Sequence, residues 1–292
     1  MSRDIRLGQL LTLISVAIEG LFPAIAHAAT GLLPPLWFLA VCQLASCLAY
    51  AVIITFQGWR REIFTLETLK SAIGVAVCIV VVPYGLIFLG TRLSTGINTG
   101  LMITMEVPFT AVVSWLLFRE SLTRWGVLGV GLTVAGALAI FGETTHGGIG
   151  EAMILLAVIL LPFGNRFAKR AFLTLRGSEL LCFRSFLAGV ILLPVSAFVE
   201  EWPSFPLPPF ALRWMALYVV ILVVGKLFWY AGLKRLRLVD AVSMLAVAPA
   251  FSLVFTMLLL GERPTMLQLT GFILSLAGVA LITNIRSAKT VV

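Results

Sequence analysis

Charge is scarce in this chain. Of 292 residues, 21 are Lys or Arg and 13 are Asp or Glu, 12% in all. A soluble domain carries about 25%. So few charges cannot clothe a water-soluble globule. Soluble enzymes, disordered tails and nucleic-acid-binding proteins are excluded, and the net charge of +8 reads as basic loops beside a membrane. Histidine is scarcer still, with two residues, so no acid–His–nucleophile set is credible. The four cysteines, Cys42, Cys47, Cys78 and Cys182, lie in apolar runs with no metal-ligand spacing to a histidine. They are expected to pack as small apolar side chains, without disulfides. No phosphate-binding loop is present, so ATP does not drive the protein. The expectation is a protein that is not an enzyme and uses no cofactor and no metal.

What is abundant is apolar sequence, 60% of the chain with a mean hydropathy of +1.08. About 20 apolar residues cross a bilayer as a helix. Ten such runs are expected: 8–28, 35–56, 70–90, 96–118, 124–142, 149–166, 178–199, 211–233, 240–260 and 266–285. The apolar residues are continuous rather than alternating, which points to helices and not barrel strands. With the N-terminus placed in the cytoplasm, sixteen Lys and Arg residues fall inside and three, Arg92, Arg213 and Arg263, outside. That asymmetry predicts cytoplasmic termini in an inner or plasma membrane. Arg3, Arg6 and Ala26-His27-Ala28 imitate a cleavable signal. Glu19 interrupts its apolar core, and the first run is needed for an even topology, so it is expected to remain.

An internal repeat organises the spans. At an offset of 142, Glu120, Thr123, Gly129, Leu132, Ala135, Gly136 and Ile140 recur as Glu262, Thr265, Gly271, Leu274, Ala277, Gly278 and Ile282. Gly90 and Gly232 share that offset, and Pro108 and Pro249 fall 141 apart. Two five-helix units are therefore expected, 1–147 and 148–292, together forming one transport unit. Five crossings leave the chain on the opposite side, so the second unit is inverted. Inverted repeats can exchange roles about a central site, which is the architecture of alternating access.

With these features the chain resembles the drug/metabolite transporter superfamily, and within it the EamA-type exporters. The resemblance rests on the five-plus-five plan, on Pro108, Glu120, Gly129 and Gly136, and on Pro249, Gly261-Glu262, Gly271 and Gly278. It implies an all-α integral membrane fold of ten helices in two inverted repeats. It also implies secondary transport, often export of amino acids or other small metabolites, through a cavity lined by spans 1, 3, 4, 6, 8 and 9.

Ionisable groups inside a bilayer are costly and point to function. Glu19 sits in span 1 with Ser15, Phe22 and Ala26 on its face. Glu106 sits in span 4, on a stripe with Asn98, Met102 and Phe109. Tyr84 stands in span 3, Asn165 near the end of span 6, and Lys226 in span 8 with Trp229 and Tyr230 one turn on. Either carboxylate could carry a proton or balance a cationic substrate. Lys226 could bind a carboxylate or act as an internal counter-ion. The aromatics could stack on substrate or cage an ammonium. A purely structural Glu–Lys pair is the competing explanation.

Among the prolines inside spans, Pro23, Pro83, Pro108, Pro162 and Pro249 are expected to kink helices for conformational change, with Pro194 a sixth break. Arg184 is expected to snorkel to the cytoplasm. His27 is expected at a wet interface, Glu120 and Glu262 in loop stabilisation or gating, and Gly96 and Gly100 in close helix packing. The expected function is an alternating-access transporter that exports small amphipathic metabolites such as amino acids, with a proton as the simplest coupling ion. A same-fold alternative carries organic cations or quaternary ammonium compounds, and a non-transport alternative is a membrane scaffold or lipid-modifying enzyme. The expected partners are a small-molecule substrate and membrane lipids, without nucleic acid; oligomeric state is left open.

Overall fold

A computed structural model of the chain describes residues 3–58, 66–118, 123–141, 148–236, 240–241 and 244–287. All regular elements among them are helical. Among the described residues, seven units are long and apolar enough to cross a membrane: Arg3–Thr30, Pro35–Gln57, Leu66–Arg92, Gly96–Leu116, Ile149–Ala171, Gly177–Val199 and Pro209–Arg235. Three shorter apolar helices, Arg124–Ala139, Ala248–Leu260 and Met266–Ile282, occupy the places of the remaining expected runs. The chain is an all-helical, multi-pass membrane protein.

Several units are broken, and the breaks follow proline chemistry. Pro cannot donate a hydrogen bond and its ring crowds the carbonyl four residues back. Pro23 acts on Glu19, where α1 (Arg3–Glu19) ends; α2 (Phe22–Thr30) resumes after a two-residue turn. After α3 (Pro35–Gln57) and α4 (Leu66–Val75), Pro83 lies within a π-helical segment, Ala76–Tyr84, that leads into α5 (Gly85–Arg92). Pro108 acts on Thr104, where α6 (Gly96–Ile103) and α7 (Glu106–Phe118) part. Pro249 opens α13 (Ala248–Leu260), directly after a 3-10 turn at Met244–Val247.

At two other prolines the helix is not interrupted. Pro162 sits inside continuous α9 (Ile149–Ala171) and Pro194 inside continuous α10 (Gly177–Val199). One break has no proline: α11 (Pro209–Val220) passes through a π-helical segment, Ile221–Gly225, before α12 (Lys226–Arg235). A π-turn releases carbonyls from the regular ladder. Here the Tyr50 hydroxyl donates to the Leu222 carbonyl from neighbouring α3.

Packing follows the 142-residue repeat: a shift of 142 carries one contact of a pair onto the other. α8 (Arg124–Phe141) packs on α14 (Met266–Ser287), α3 on α10, α1 on α12 and α5 on α9. At the first of these contacts Gly129 faces the Gly278 carbonyl and Gly136 faces the Gly271 carbonyl, each only 2.5 Å from where a Cβ would stand. At the last, Gly90 and Gly150 face one another's carbonyls, and at the α1–α12 contact Gly232 lies against the Gly8 carbonyl. Gly8 and Gly150, like Gly90 and Gly232, are 142 apart. Small residues allow such close approach where lipid leaves little hydrophobic drive between helices. Gly96 and Gly100 likewise receive Thr256 and Ser252 of α13.

These approaches set a stability test. A Cβ at Gly278 would collide with Thr133 and the Gly129 carbonyl, whereas one at Gly131 would meet nothing within 4 Å. Gly278→Ala is expected to destabilise the protein by about 1–3 kcal/mol through overpacking. Gly131→Ala is expected to be neutral or slightly stabilising through helix propensity. Thermal unfolding in detergent micelles checks the pair, and equal melting temperatures would contradict the packing account.

Candidate functional site

The helix breaks converge on a central cavity. Its lining includes Glu19, Gly20, Phe22 and Pro23 from the α1–α2 break and Tyr84 from the end of the first π segment. Thr104 and Glu106 come from the α6–α7 break, Lys226 from the end of the second π segment, and Ala248 and Pro249 from the start of α13. Asn165 of α9, Arg184 of α10, Tyr218 of α11, and Trp229 and Tyr230 of α12 complete its polar and aromatic wall. The cavity volume is about 90 Å³. A regular helix consumes its own backbone groups; broken ones supply free termini where a buried site needs them.

Of the four charged groups on the wall, two form an ion pair. Lys226 Nζ lies 2.8 Å from Glu19 Oε2, and Ser15 donates to Glu19 Oε1 at 3.0 Å. The Glu19 side chain is 16% exposed and that of Lys226 9%, so the ion pair is largely desolvated. Gly225 makes the approach possible, because its α-carbon faces Ile18 and Glu19 without a side chain between. Lys226 also stands 5.7 Å from the Tyr84 ring centroid, within cation–π range.

The other two charges have no such match. Glu106 accepts from Asn165 Nδ2 at 3.1 Å, and no cation stands within ion-pair distance of it among the described residues. Arg184 is 1% exposed, and no carboxylate pairs with it among the described residues. Its guanidinium lies 5.7 Å from the Tyr230 ring centroid, and Nη1 donates to the Tyr230 hydroxyl at 3.4 Å. Its Nε has no hydrogen-bond partner among the described residues, nor do the hydroxyls of Tyr218 and Ser252 on the same wall. An arginine cannot shed its proton. A guanidinium has the donor geometry that pairs with a carboxylate or phosphate.

The expected residues divide sharply. Glu19, Tyr84, Glu106, Asn165, Lys226, Trp229 and Tyr230 line the cavity together with Pro23 and Pro249. Asn98 and Met102 do not. The expected stripe assumed one helix through 98–109, and the break at Thr104 rotates its two halves out of phase. Met102 is fully enclosed, while Asn98 donates to Glu151 Oε1 at 3.0 Å and accepts from Gln268 at 2.8 Å. Pro83, Pro108 and Pro162 are not among the lining residues. Arg184 does not snorkel: α10 packs against α3 and turns the side chain inward to Tyr230.

Other residues take structural places. Glu262 accepts from the Gly96 and Ile97 amides, 3.0 Å each, and so ties its loop to the start of α6. His27 is half-buried between the Thr91 carbonyl, at 3.4 Å, and Glu262, at 3.9 Å. Glu120 lies outside the described residues. Cys47 and Cys182 are free thiols with sulfurs 3.7 Å apart. Among the described residues no group of three or more His, Cys, Asp or Glu is placed to hold a metal.

Sequence reasoning missed three contributors to these networks: Tyr218, Ser252 and the fully buried Glu151, which also accepts from Ser94 at 2.6 Å. A signal for the break before Lys226 was available, because Gly225 and Lys226 occupy the repeat positions of Pro83 and Tyr84.

A multi-pass helical membrane protein with a charged cavity walled by broken helices belongs among transporters by class. The comparisons agree. The EamA-like transporter family matches residues 6–142 and, a second time, residues 148–284. The chain belongs to that family. It is 27% identical over 220 residues to an uncharacterized transporter of Synechocystis sp., covering 70% of this chain and 63% of that one. It is 26% identical over 191 residues to a probable terminal-alkyne amino-acid exporter of Streptantibioticus cattleyicolor, covering 64% of each. The match thus spans just under two thirds of either relative. One crystal structure superposes with a TM-score of 0.72 over 97% of this chain and 98% of its own, at 16% identity, a likeness of fold alone.

The ion pair yields a second stability test. Removing one partner of a desolvated pair leaves an uncompensated charge and costs about 3–5 kcal/mol, whereas replacing both can be neutral. Glu19→Gln is expected to lower the melting temperature in detergent clearly, and Glu19→Gln/Lys226→Met to restore it. A double variant no more stable than the single one would contradict this coupling.

Proposed function

We propose that the protein is an alternating-access secondary transporter of the inner or plasma membrane, and that its cargo is a small zwitterion of the amino-acid type. The carrying observation is Arg184, a buried cation without a carboxylate partner on the wall of the cavity that Glu106 also lines. A cargo carboxylate would satisfy the guanidinium, and its ammonium would lie toward Glu106. Phe22, Tyr84, Tyr218 and Trp229 supply an aromatic surround for a modest apolar side chain. The name of the Streptantibioticus relative lends support to amino acids and to export.

The architectural part of the proposal is ten spans in two inverted five-helix units, 1–147 and 148–292, with both termini cytoplasmic. Its support is the 142-residue offset that carries one glycine contact onto its mate, the double family match and the positive-inside count. Rocking of the two units would open the site to either side in turn. Glu106, hydrogen-bonded to Asn165 and without an ion-pair partner among the described residues, is the proposed proton carrier. The organic-cation alternative needs an anionic cage with Lys226 turned away; Lys226 and Arg184 both facing the cavity weigh against it. A polar cavity also weighs against a scaffold.

Counterflow in proteoliposomes tests the reading. A panel of labelled apolar L-amino acids is offered together with their decarboxylated amines. Exchange of the amino acids but not the amines is expected, and Arg184→Gln should raise KM at least about tenfold through loss of a charge-assisted contact. Glu106→Gln should exchange cargo with its pH dependence flattened. Equal exchange of the amines, or an Arg184→Gln variant with unchanged KM, would overturn the zwitterion reading.

A further inference from the structure

The contact between α3 and α10 carries chemistry that the central cavity does not use. Polar groups tie this contact at both ends. At one end Glu200 accepts from the Leu36 and Trp37 amides, at 2.9 and 3.0 Å. At the other, the Arg176 guanidinium donates to the Gln57 carbonyl at 2.7 Å, and Ser178 donates to the Gln57 side chain at 2.8 Å. Between these ends Gly189 admits α3 closely: a Cβ there would stand 2.5 Å from the Leu44 side chain and 3.3 Å from the Ala40 carbonyl. The 142-residue shift carries Ala40 onto Cys182 and Cys47 onto Gly189. The counterpart of this glycine–alanine contact is therefore a contact of two cysteines.

Their sulfurs lie 3.7 Å apart, and Cys182 Sγ is also 3.7 Å from the Cys47 carbonyl. A disulfide holds its sulfurs at about 2.05 Å. The difference is under about 2 Å, a distance that rotation of two side chains covers. The helices that carry the sulfurs are already held together on either side. Access to the two is unequal. Cys47 is half-buried next to Leu48, which is 70% exposed, whereas Cys182 is 8% exposed. An oxidant small enough to cross lipid therefore meets Cys47 first, with Cys182 behind it. A thiol open to attack and a second thiol in contact with it are the two parts of a reversible redox couple. Cys42 turns elsewhere, its sulfur 3.9 Å from the Met215 carbonyl.

We propose that Cys47 and Cys182 are the site of a reversible oxidative cross-link between α3 and α10, made by hydrogen peroxide or another small hydroperoxide. The Cys47 sulfur attacks the O–O bond and becomes a sulfenic acid; its proton leaves with the displaced hydroxide as water. The Cys182 sulfur then attacks the Cys47 sulfur. The S–O bond breaks, the S–S bond forms, and the Cys182 proton leaves with the hydroxide as a second water. One peroxide is reduced to two waters, and two thiols are oxidised to one disulfide. The link stops Cys47 short of the sulfinic acid, which thiols do not reverse. It also joins residues 135 apart in the chain, which restricts the unfolded state and stabilises the native one.

Peroxide treatment of the purified full chain in detergent, followed by peptide mass spectrometry and thermal unfolding, tests the site. The peptides that hold Cys47 and Cys182 are expected to be joined within one chain and two hydrogens lighter than their sum, with Cys42 and Cys78 unlinked. The melting temperature should rise by at least about 3 °C and return to its starting value with dithiothreitol. Cys182→Ser should melt like the reduced parent, show no rise with peroxide, and accumulate sulfinic acid at Cys47 that dithiothreitol does not remove. Cys47→Ser should also lose the rise, which guards against a folding defect in either single variant. Both thiols still free after peroxide, sulfinic acid at Cys47 in the parent, or a link without a rise in melting temperature would overturn the proposal. None of these readouts involves transport, so failure here and failure of the transporter reading are distinguishable.

Discussion

The Glu19–Lys226 ion pair is the constraint on which the centre of the molecule depends. Two charges in a low-dielectric interior repay their desolvation only through close geometry and further hydrogen bonds. Three local features supply that geometry. Pro23 ends α1 at Glu19, Gly225 lets α1 approach the helix that carries Lys226, and Ser15 completes the coordination of the carboxylate. The pair joins the first and eighth expected spans, which belong to different repeats, so a change in its geometry would move one proposed unit relative to the other.

Around that pair the fold trades helical regularity for chemistry. Glu19, Tyr84, Glu106, Lys226 and Pro249 each stand at a helix break or beside a π or 3-10 turn, and all line one cavity. Elsewhere the helices meet through glycine against carbonyl, at distances that leave no room for a methyl group. A transporter needs this division: rigid, closely packed contacts that move as bodies, and irregular backbone only where it faces a cavity. Arg184 adds a buried cation that no carboxylate among the described residues pairs with, the feature on which the proposed carboxylate cargo rests.

Much of this was legible in the chain before any coordinates. Hydropathy marks the apolar helices, the 142-residue repeat carries one glycine contact onto its mate, and the rule that intramembrane charge is costly singles out Glu19, Glu106 and Lys226. What escaped were consequences of backbone irregularity and of helix rotation. Asn98 and Met102 were grouped with Glu106 on the assumption of one continuous helix, which the break at Thr104 removes. Pro162 and Pro194 leave their helices continuous, so a proline alone does not decide a break. Arg184 was placed near the membrane surface from its distance along the span. Its inward direction depends on how α10 packs against α3, which no single-span pattern encodes.

The central claim is that the paired cavity charges serve transport and not only the fold. Transport by the doubly neutralised Glu19→Gln/Lys226→Met protein tests it most directly, because this variant keeps the helices together while removing both charges. Counterflow in proteoliposomes, on protein first shown to melt at or above the parent temperature, is predicted to fall to the background of empty vesicles. Counterflow at the parent rate from that folded, neutral variant would contradict the account and reduce the pair to a structural tie between helices.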